Sequence, residues 1–229
     1  SLAHLNQLID EIDLGDLELK RKKWFEQIEE WKSTNPLAYQ QGDDAIKPQY
    51  VVEKLYELTR GQAIITTEVG QNQMWAAQYY LNDRPYSVVT SGGLGTMGFG
   101  LPSAIGAQAG CPDKVVINIS GDGGFQMCAM ELMTAVNYGA ALNVVVINNG
   151  TMGLIRKNQF QLYGERYIDC DFVNPDFAAL ARAFGIAHYR LETQADVDRL
   201  FAEADLQGTI NLIELMLDKH AFPTYLSSR

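Results

Sequence analysis

Val115-Val-Ile-Asn-Ile-Ser-Gly121-Asp122-Gly123-Gly124 and Asn143-Val-Val-Val-Ile147-Asn148-Asn149 are the two segments whose joint reading decides the fold. Each is a short apolar run ended by turn-forming residues, the pattern of a strand buried on both faces of a parallel sheet. The stretch between them predicts a helix from about Phe125 to Tyr138, so both strands end at the same sheet edge. Gly-Asp-Gly-Gly exposes backbone N–H groups there, and the positive end of the following helix can receive phosphate oxygens. Asp122 and an oxygen of Asn148 or Asn149 can share one hard cation, which takes roughly six oxygens if it is magnesium. Singly, Gly-Asp-Gly and Asn-Asn-Gly are common turns. Paired at the ends of two strands with one helix between, they form a diphosphate–metal pattern.

The same alternation extends in both directions. Pro48 opens an amphipathic helix to Thr59 that Gly61 stops. Ala63–Thr67 reads as a strand, Gln73–Tyr80 as a helix, and Ser87–Thr90 as a strand entering a glycine-rich loop. Beyond Asn149, a long segment from Met152 to Asn174 carries no assigned element. A helix over Pro175–Phe184, a short strand over Ile186–Arg190, a helix over Gln194–Glu203 and a buried strand over Thr209–Leu217 follow. Strands alternating with helices predict an α/β fold, a doubly wound, mostly parallel sheet with helices on both faces. Ligands of such sheets bind outside the carboxyl ends of the strands. The first 45 residues differ, with Leu17, Trp24, Phe25, Ile28 and Trp31 at helical spacing among dense charges, then Gln40-Gln-Gly-Asp-Asp44 as a linker.

Composition narrows the partners. The 229 residues are 47% hydrophobic and 20% charged, enough for one large core. A net charge of −10 argues against nucleic acid or an anionic membrane surface. No apolar stretch approaches the roughly 18 residues a spanning helix needs. Cys111, Cys128 and Cys170 suggest neither a disulfide framework nor a zinc site, and a cytoplasmic location fits. His4, His188 and His220 are scattered, with no nucleophile beside them. Gly93-Leu-Gly95-Thr-Met-Gly98 satisfies the dinucleotide fingerprint, with Asp122 as its acidic partner. That reading fails because Asp122 lies between glycines rather than at a bare strand tip, and because Asn148-Asn149 would have no role.

The spacing from Gly121 to Asn149 resembles the cofactor signature of thiamine diphosphate (ThDP) enzymes. Longer strings are similar to the catalytic subunit of acetohydroxyacid synthase (acetolactate synthase). They are Ile46-Lys-Pro-Gln-Tyr-Val-Val52, Thr67-Glu-Val-Gly-Gln-Asn-Gln-Met-Trp-Ala-Ala-Gln-Tyr79 and Thr90-Ser-Gly-Gly-Leu-Gly-Thr-Met-Gly-Phe-Gly-Leu-Pro102. The resemblance is close over about Ile46 to Ile155. It implies that residues 46–229 are the C-terminal, ThDP- and Mg²⁺-binding domain, and residues 1–45 the tail of a preceding domain and a linker. It further implies that Val69, Gly70, Gln71 and Asn72 line the cofactor, Gln71 and Asn72 toward the diphosphate. Gly95, Thr96 and Met97 would meet the aminopyrimidine, with Met97 the apolar wedge that holds ThDP in a V shape. Asp122, Asn149 and the backbone oxygen of Thr151 would hold Mg²⁺, and Gly121, Gly123, Gly124 and Met152 would complete the cofactor wall. Met74 and Trp75 would support the pocket or the core. The implied reaction decarboxylates pyruvate and passes the two-carbon unit to a second 2-keto acid, in branched-chain amino acid biosynthesis.

The chain also departs from that family. No segment matches the pyrimidine-binding domain that supplies the catalytic glutamate, and Glu68 and Glu131 read as structural. FAD is a family cofactor whose domain is essentially absent here. The expectation is therefore a fragment or one subunit of a split enzyme, completed by a pyrimidine-binding domain or subunit, homo-oligomeric, and open to a regulatory subunit. Asn158 stands where the family has a tryptophan shaping the acceptor pocket, which leaves the acceptor keto acid open. Ala221–Arg229 lacks the family's proline- and glycine-containing tail. Two other readings stand beside this one. The first is another ThDP-dependent 2-keto acid decarboxylase or oxidase. The second is a non-catalytic cofactor-binding or assembly domain.

Overall fold

A computed structural model describes residues 2–11, 15–40, 45–203 and 205–223. Residues 41–44 of the expected linker and 224–229 of the tail lie outside these. The chain divides into two compact units, one reaching Ala38 and one starting at Tyr39. In the first, α1 (Leu2–Asp10) buries no residue, and α2 (Gly15–Thr34) leaves Trp24, Phe25 and Trp31 exposed. The second unit begins ahead of Ile46, because the Tyr39 ring already meets Tyr79 edge-on at 5.5 Å between centroids.

From there the order is α3 (Pro48–Thr59), β1 (Ile64–Thr67), α4 (Gln71–Tyr79), β2 (Val88–Thr90), α5 (Gly100–Gly110) and β3 (Val116–Gly121). It continues through α6 (Asp122–Met127), a 3₁₀ turn at Ala129–Glu131, α7 (Leu132–Tyr138), β4 (Leu142–Asn148) and α8 (Gly153–Tyr163). The chain closes with α9 (Phe177–Phe184), β5 (Ala187–Leu191), α10 (Gln194–Glu203) and β6 (Asn211–Met216). All strand pairings are parallel, in the order β2-β1-β3-β4-β6-β5. This is the expected doubly wound α/β fold. Its two faces follow from strand periodicity. Val145, Ile147, Ile117, Ile119, Ile213 and Leu215 join α3, α4 and α10 in one core. Leu142, Val144, Val146, Val116 and Leu212 join α5, α7 and α9 in the other. No helix among the described residues is long and apolar enough to cross a membrane.

Two local expectations are corrected. The helix expected over 125–138 is broken into three pieces, because Cys128 leaves the helical region at φ −130° and ψ 21°. Its first piece starts at Asp122 itself. The segment after Met152, to which no element was assigned, contains α8. Periodicity missed it because α8 buries Arg156 and Lys157 rather than an apolar stripe.

Candidate functional site

After β1 the chain moves outward to β2, then returns to the other side of β1 to form β3. This reversal opens a crevice at the carboxyl ends of β1 and β3, where α/β sheets hold ligands. The cleft there holds about 610 Å³ of empty space, part of it open to solvent. Its walls are Val69–Asn72 after β1, Gly121–Gly124 after β3, and Asn149 with Thr151–Ile155 after β4, closed by Trp75, Ile147 and Met97. The first turns of α4, α6 and α8 all border it, and none is capped by a side chain. Apart from Gly123 N–H, which Asp122 takes, their N–H groups are donors that helix starts leave for a ligand. Gly70 makes the first of these turns possible, because its φ of 142° is closed to other residues and an added Cβ would lie 2.9 Å from Asn72 Oδ1.

Asp122 sits at the floor, only 1% exposed. Its Oδ1 accepts the Gly123 N–H at 2.9 Å. Oδ2 accepts from Asn149 N at 3.1 Å, Gly150 N at 2.7 Å and Asn174 Nδ2 at 2.8 Å. Burial pushes this carboxyl above its usual range, and bonds from Asn174, Gly150, Gly123 and Asn149 pull the other way. All these donors are neutral. Among the described residues lining the cleft, Asp122 is the sole ionisable one. A phosphate in the cleft would face a carboxylate with no Lys, Arg or His to balance it. A hard cation between them resolves the conflict, so the donor set fits a diphosphate together with a divalent cation.

Gln71 adds a second sign of a missing partner. Both polar atoms of its amide are buried and unbonded, a costly arrangement unless a ligand satisfies them. Asn72 behaves differently. Its Nδ2 donates to the carbonyls of Glu68 at 2.7 Å and Ile119 at 2.9 Å, clamping the ends of β1 and β3. Its Oδ1, an acceptor, is the atom left beside Gly70 and Gly121.

The two asparagines after β4 separate cleanly. Asn148 turns away, donating to Glu214 Oε1 at 2.6 Å and accepting from Asn174 at 2.7 Å. Asn149 borders the cleft, its Oδ1 accepting the Thr151 N–H at 3.3 Å. Thr151 is pinned by its hydroxyl to the Cys170 carbonyl at 2.8 Å, and the Met152 N–H reaches the same carbonyl at 2.7 Å. Met97 reaches the cleft from the glycine-rich loop, whereas Gly95 and Thr96 sit on the exposed side of that loop and do not line it. Asn158 lines a neighbouring groove with Tyr163, Arg166 and Tyr167, which shares Ile155 with the cleft.

Neither glutamate near the motifs faces the cleft. Glu68 is buried and accepts from the backbone N–H groups of Val69, Gly98 and Gly100. Glu131 is exposed and accepts from the Thr134 hydroxyl at 2.7 Å. Sequence reasoning missed Asn174 altogether. Its only local signal, Asn-Pro-Asp before a helix, reads as a helix start.

Comparison with known proteins identifies the family. Residues 68–215 match the family described as "Thiamine pyrophosphate enzyme, C-terminal TPP binding domain". The mitochondrial acetolactate synthase catalytic subunit of Saccharomyces cerevisiae is 41% identical over 206 residues, covering 87% of this chain and 30% of that protein. The acetolactate synthase large subunit of Lactococcus lactis is 42% identical, covering 87% of this chain and 35% of its own length. The isozyme 3 large subunit of Escherichia coli is 38% identical, covering 88% and 36%. The chain thus spans about a third of the length of these relatives.

Proposed function

Because the chain belongs to the thiamine pyrophosphate enzymes, as a C-terminal TPP-binding domain, we propose that it is the ThDP- and Mg²⁺-binding part of an acetolactate synthase. The observation that carries this reading is the convergence of three uncapped helix starts on one buried carboxylate, with no basic side chain among the described residues that line the cleft. In the proposal the N–H groups after Gly70, Gly121 and Met152 bind the diphosphate, and the Gln71 amide gains its missing partner there. Asp122, Asn149 and the Thr151 carbonyl hold Mg²⁺. Met97 supports the bend of the cofactor between its two rings, a role suited to a large flexible thioether. When bound, ThDP supplies the electron sink for decarboxylating a 2-keto acid such as pyruvate and carrying the two-carbon unit to a second one.

The remaining requirement is a carboxylate for the cofactor's pyrimidine. Since Glu68 is held by three backbone donors and Glu131 is exposed and outside the cleft lining, we assign that group to a pyrimidine-binding domain or subunit outside this chain. Leu94, 94% exposed in the loop after β2, offers an apolar side chain that such a partner would cover. Assembly into a homo-oligomer and service in branched-chain amino acid biosynthesis belong to the same proposal. A cytoplasmic setting is proposed on the three free cysteines.

Calorimetric titration of the chain with ThDP tests the site. Binding is expected with Mg²⁺, with little in its absence, and Asp122→Ala should abolish it. Undiminished, metal-independent binding by Asp122→Ala would sink the assignment. The chain alone, at saturating ThDP and Mg²⁺, should release no CO₂ from pyruvate. Turnover would mean that one of its own carboxylates serves the pyrimidine.

A further inference from the structure

The groove beside the cleft is left unused by the cofactor reading. It holds about 1120 Å³ of empty space, part of it open to solvent. Helix α8 leads from one opening to the other, with Ile155 of its first turn on both walls and Asn158 of the next turn inside the groove. The far wall is held in place from two directions. Gln159 clamps Ile168, donating Nε2–H to its carbonyl and accepting its N–H at Oε1, both at 3.0 Å. The guanidinium of Arg156 lies 3.8 Å from the centre of the Tyr167 ring, and its Nη1 donates to both oxygens of Asp171 at 2.9 and 3.0 Å. Glu165 and Asp169, which bracket Arg166 to Ile168, keep positive φ values of 61° and 50°. Backbone strain of this kind persists where surrounding contacts impose it, and it gathers at ligand clamps.

The polar groups of the groove are unspent. Arg166 donates its Nε–H to the Tyr163 carbonyl at 2.9 Å, one of those that the end of α8 leaves over. That bond anchors the guanidinium, while its two terminal nitrogens have no partner among the described residues. The half-buried Asn158 amide has none there either. Arg166 is also the sole charged side chain among the described residues lining the groove, in a chain of net charge −10. A planar guanidinium with two nitrogens to offer matches a carboxylate. Ile155, Ile168 and the two tyrosine rings give a short carbon chain an apolar wall.

We propose that this groove is an acceptor subsite for a 2-keto acid whose far end carries a second carboxylate, which Arg166 binds with Asn158 donating beside it. The inference rests on the reading of the cleft as the ThDP site, and it concerns only the acceptor, which it extends beyond a plain 2-keto acid. In the overall reaction pyruvate loses CO₂ and its other two carbons form a bond to the acceptor's keto carbon. The keto oxygen takes up one proton to become a hydroxyl, and the acceptor keeps both carboxylates. No oxidant or reductant is consumed.

The test titrates 2-oxoglutarate and, separately, 2-oxobutanoate into the isotope-labelled full chain, following the Asn158 side-chain amide by NMR. Saturating ThDP and Mg²⁺ are present throughout, so that the donors of the cleft are already taken. 2-Oxoglutarate should bind about fivefold more tightly, the worth of an exposed ion pair at its upper end, and should shift the Asn158 amide signal. Arg166 is exposed, so Arg166→Gln should fold as the wild type does, and it should erase the preference. Equal affinities in the wild type, or a preference that survives Arg166→Gln, overturn the subsite while leaving the cofactor site standing. A wild type that binds no ThDP in the presence of Mg²⁺ overturns the cofactor reading and the acceptor role with it.

Discussion

Glu68 Oε1 accepts the backbone N–H of Gly98 at 2.9 Å, although the two residues lie 30 positions apart. With Oε2 on Gly100 N at 3.0 Å and Oε1 also on Val69 N at 2.9 Å, one buried carboxylate rivets the turn after β1 to the loop that carries Met97. The carboxylate thus positions two walls of the cleft without touching the cleft itself.

Replacing Glu68 with Gln keeps the volume but turns an NH₂ group toward backbone donors. At least one buried N–H loses its acceptor, a loss of on the order of 2 kcal/mol in stability. Thermal melting should register it. Hydrogen exchange should locate the opening at Gly98 and Gly100 rather than along β3. Uniform exchange across the sheet would refute the rivet.

Two glycine substitutions should differ in sign. A Cβ on Gly124 would overlap Glu68 Cγ, so Gly124→Ala forces the rivet aside and should destabilise by about 1–3 kcal/mol. Gly106 in α5 has open space where its Cβ would be, and Gly106→Ala should stabilise by about 0.5–1 kcal/mol. Denaturant midpoints of the two variants check this contrast.

Met97→Ala should leave the fold intact, because Met97 is 37% exposed. In the enzyme reassembled with its missing domain, turnover should fall by on the order of a hundredfold, while ThDP affinity stays nearly unchanged. Equal losses in affinity and turnover would assign Met97 to anchoring rather than to shaping the cofactor.

Asp176 caps α9, its carboxylate accepting the Ala179 N–H at 2.9 Å. That bond holds the carboxyl below the ordinary aspartate range. A folded value below the unfolded one contributes stability that is fully present above the unfolded value and is lost as pH falls through the folded one. Asp176→Asn retains a capping oxygen but cannot ionise. Wild type should therefore melt higher than the variant above about pH 5, and the gap should close toward about pH 2. A gap independent of pH would show that the charge contributes nothing.

The strands that place the site were legible because burial on both faces leaves a local mark. Ile117, Ile119, Val144 and Val146 are β-branched, contiguous with turn residues, and lie in β3 and β4 as expected. The helix after Gly124 was legible in extent but not in continuity, since nothing at Cys128 announces a break. The α8 helix was not legible at all, because its buried side chains are Arg156 and Lys157, and Arg156 is held by Asp171 at 2.9 Å from another segment.

Sequence alone determined the doubly wound class, the edge at which the motifs gather and the candidate residues of the turn, because strand periodicity and turn chemistry are local properties. Which asparagine borders the cleft, which oxygen of Asp122 remains available and what restrains it were decided only by tertiary structure. Those answers lie in contacts such as Asn174 with Asp122 and Asn148 with Glu214, 52 and 66 residues apart. A hydrogen bond across such a distance leaves no periodicity along the chain; it exists only once the sheet has brought the carboxyl ends of β3 and β4, and the neighbouring β6, together.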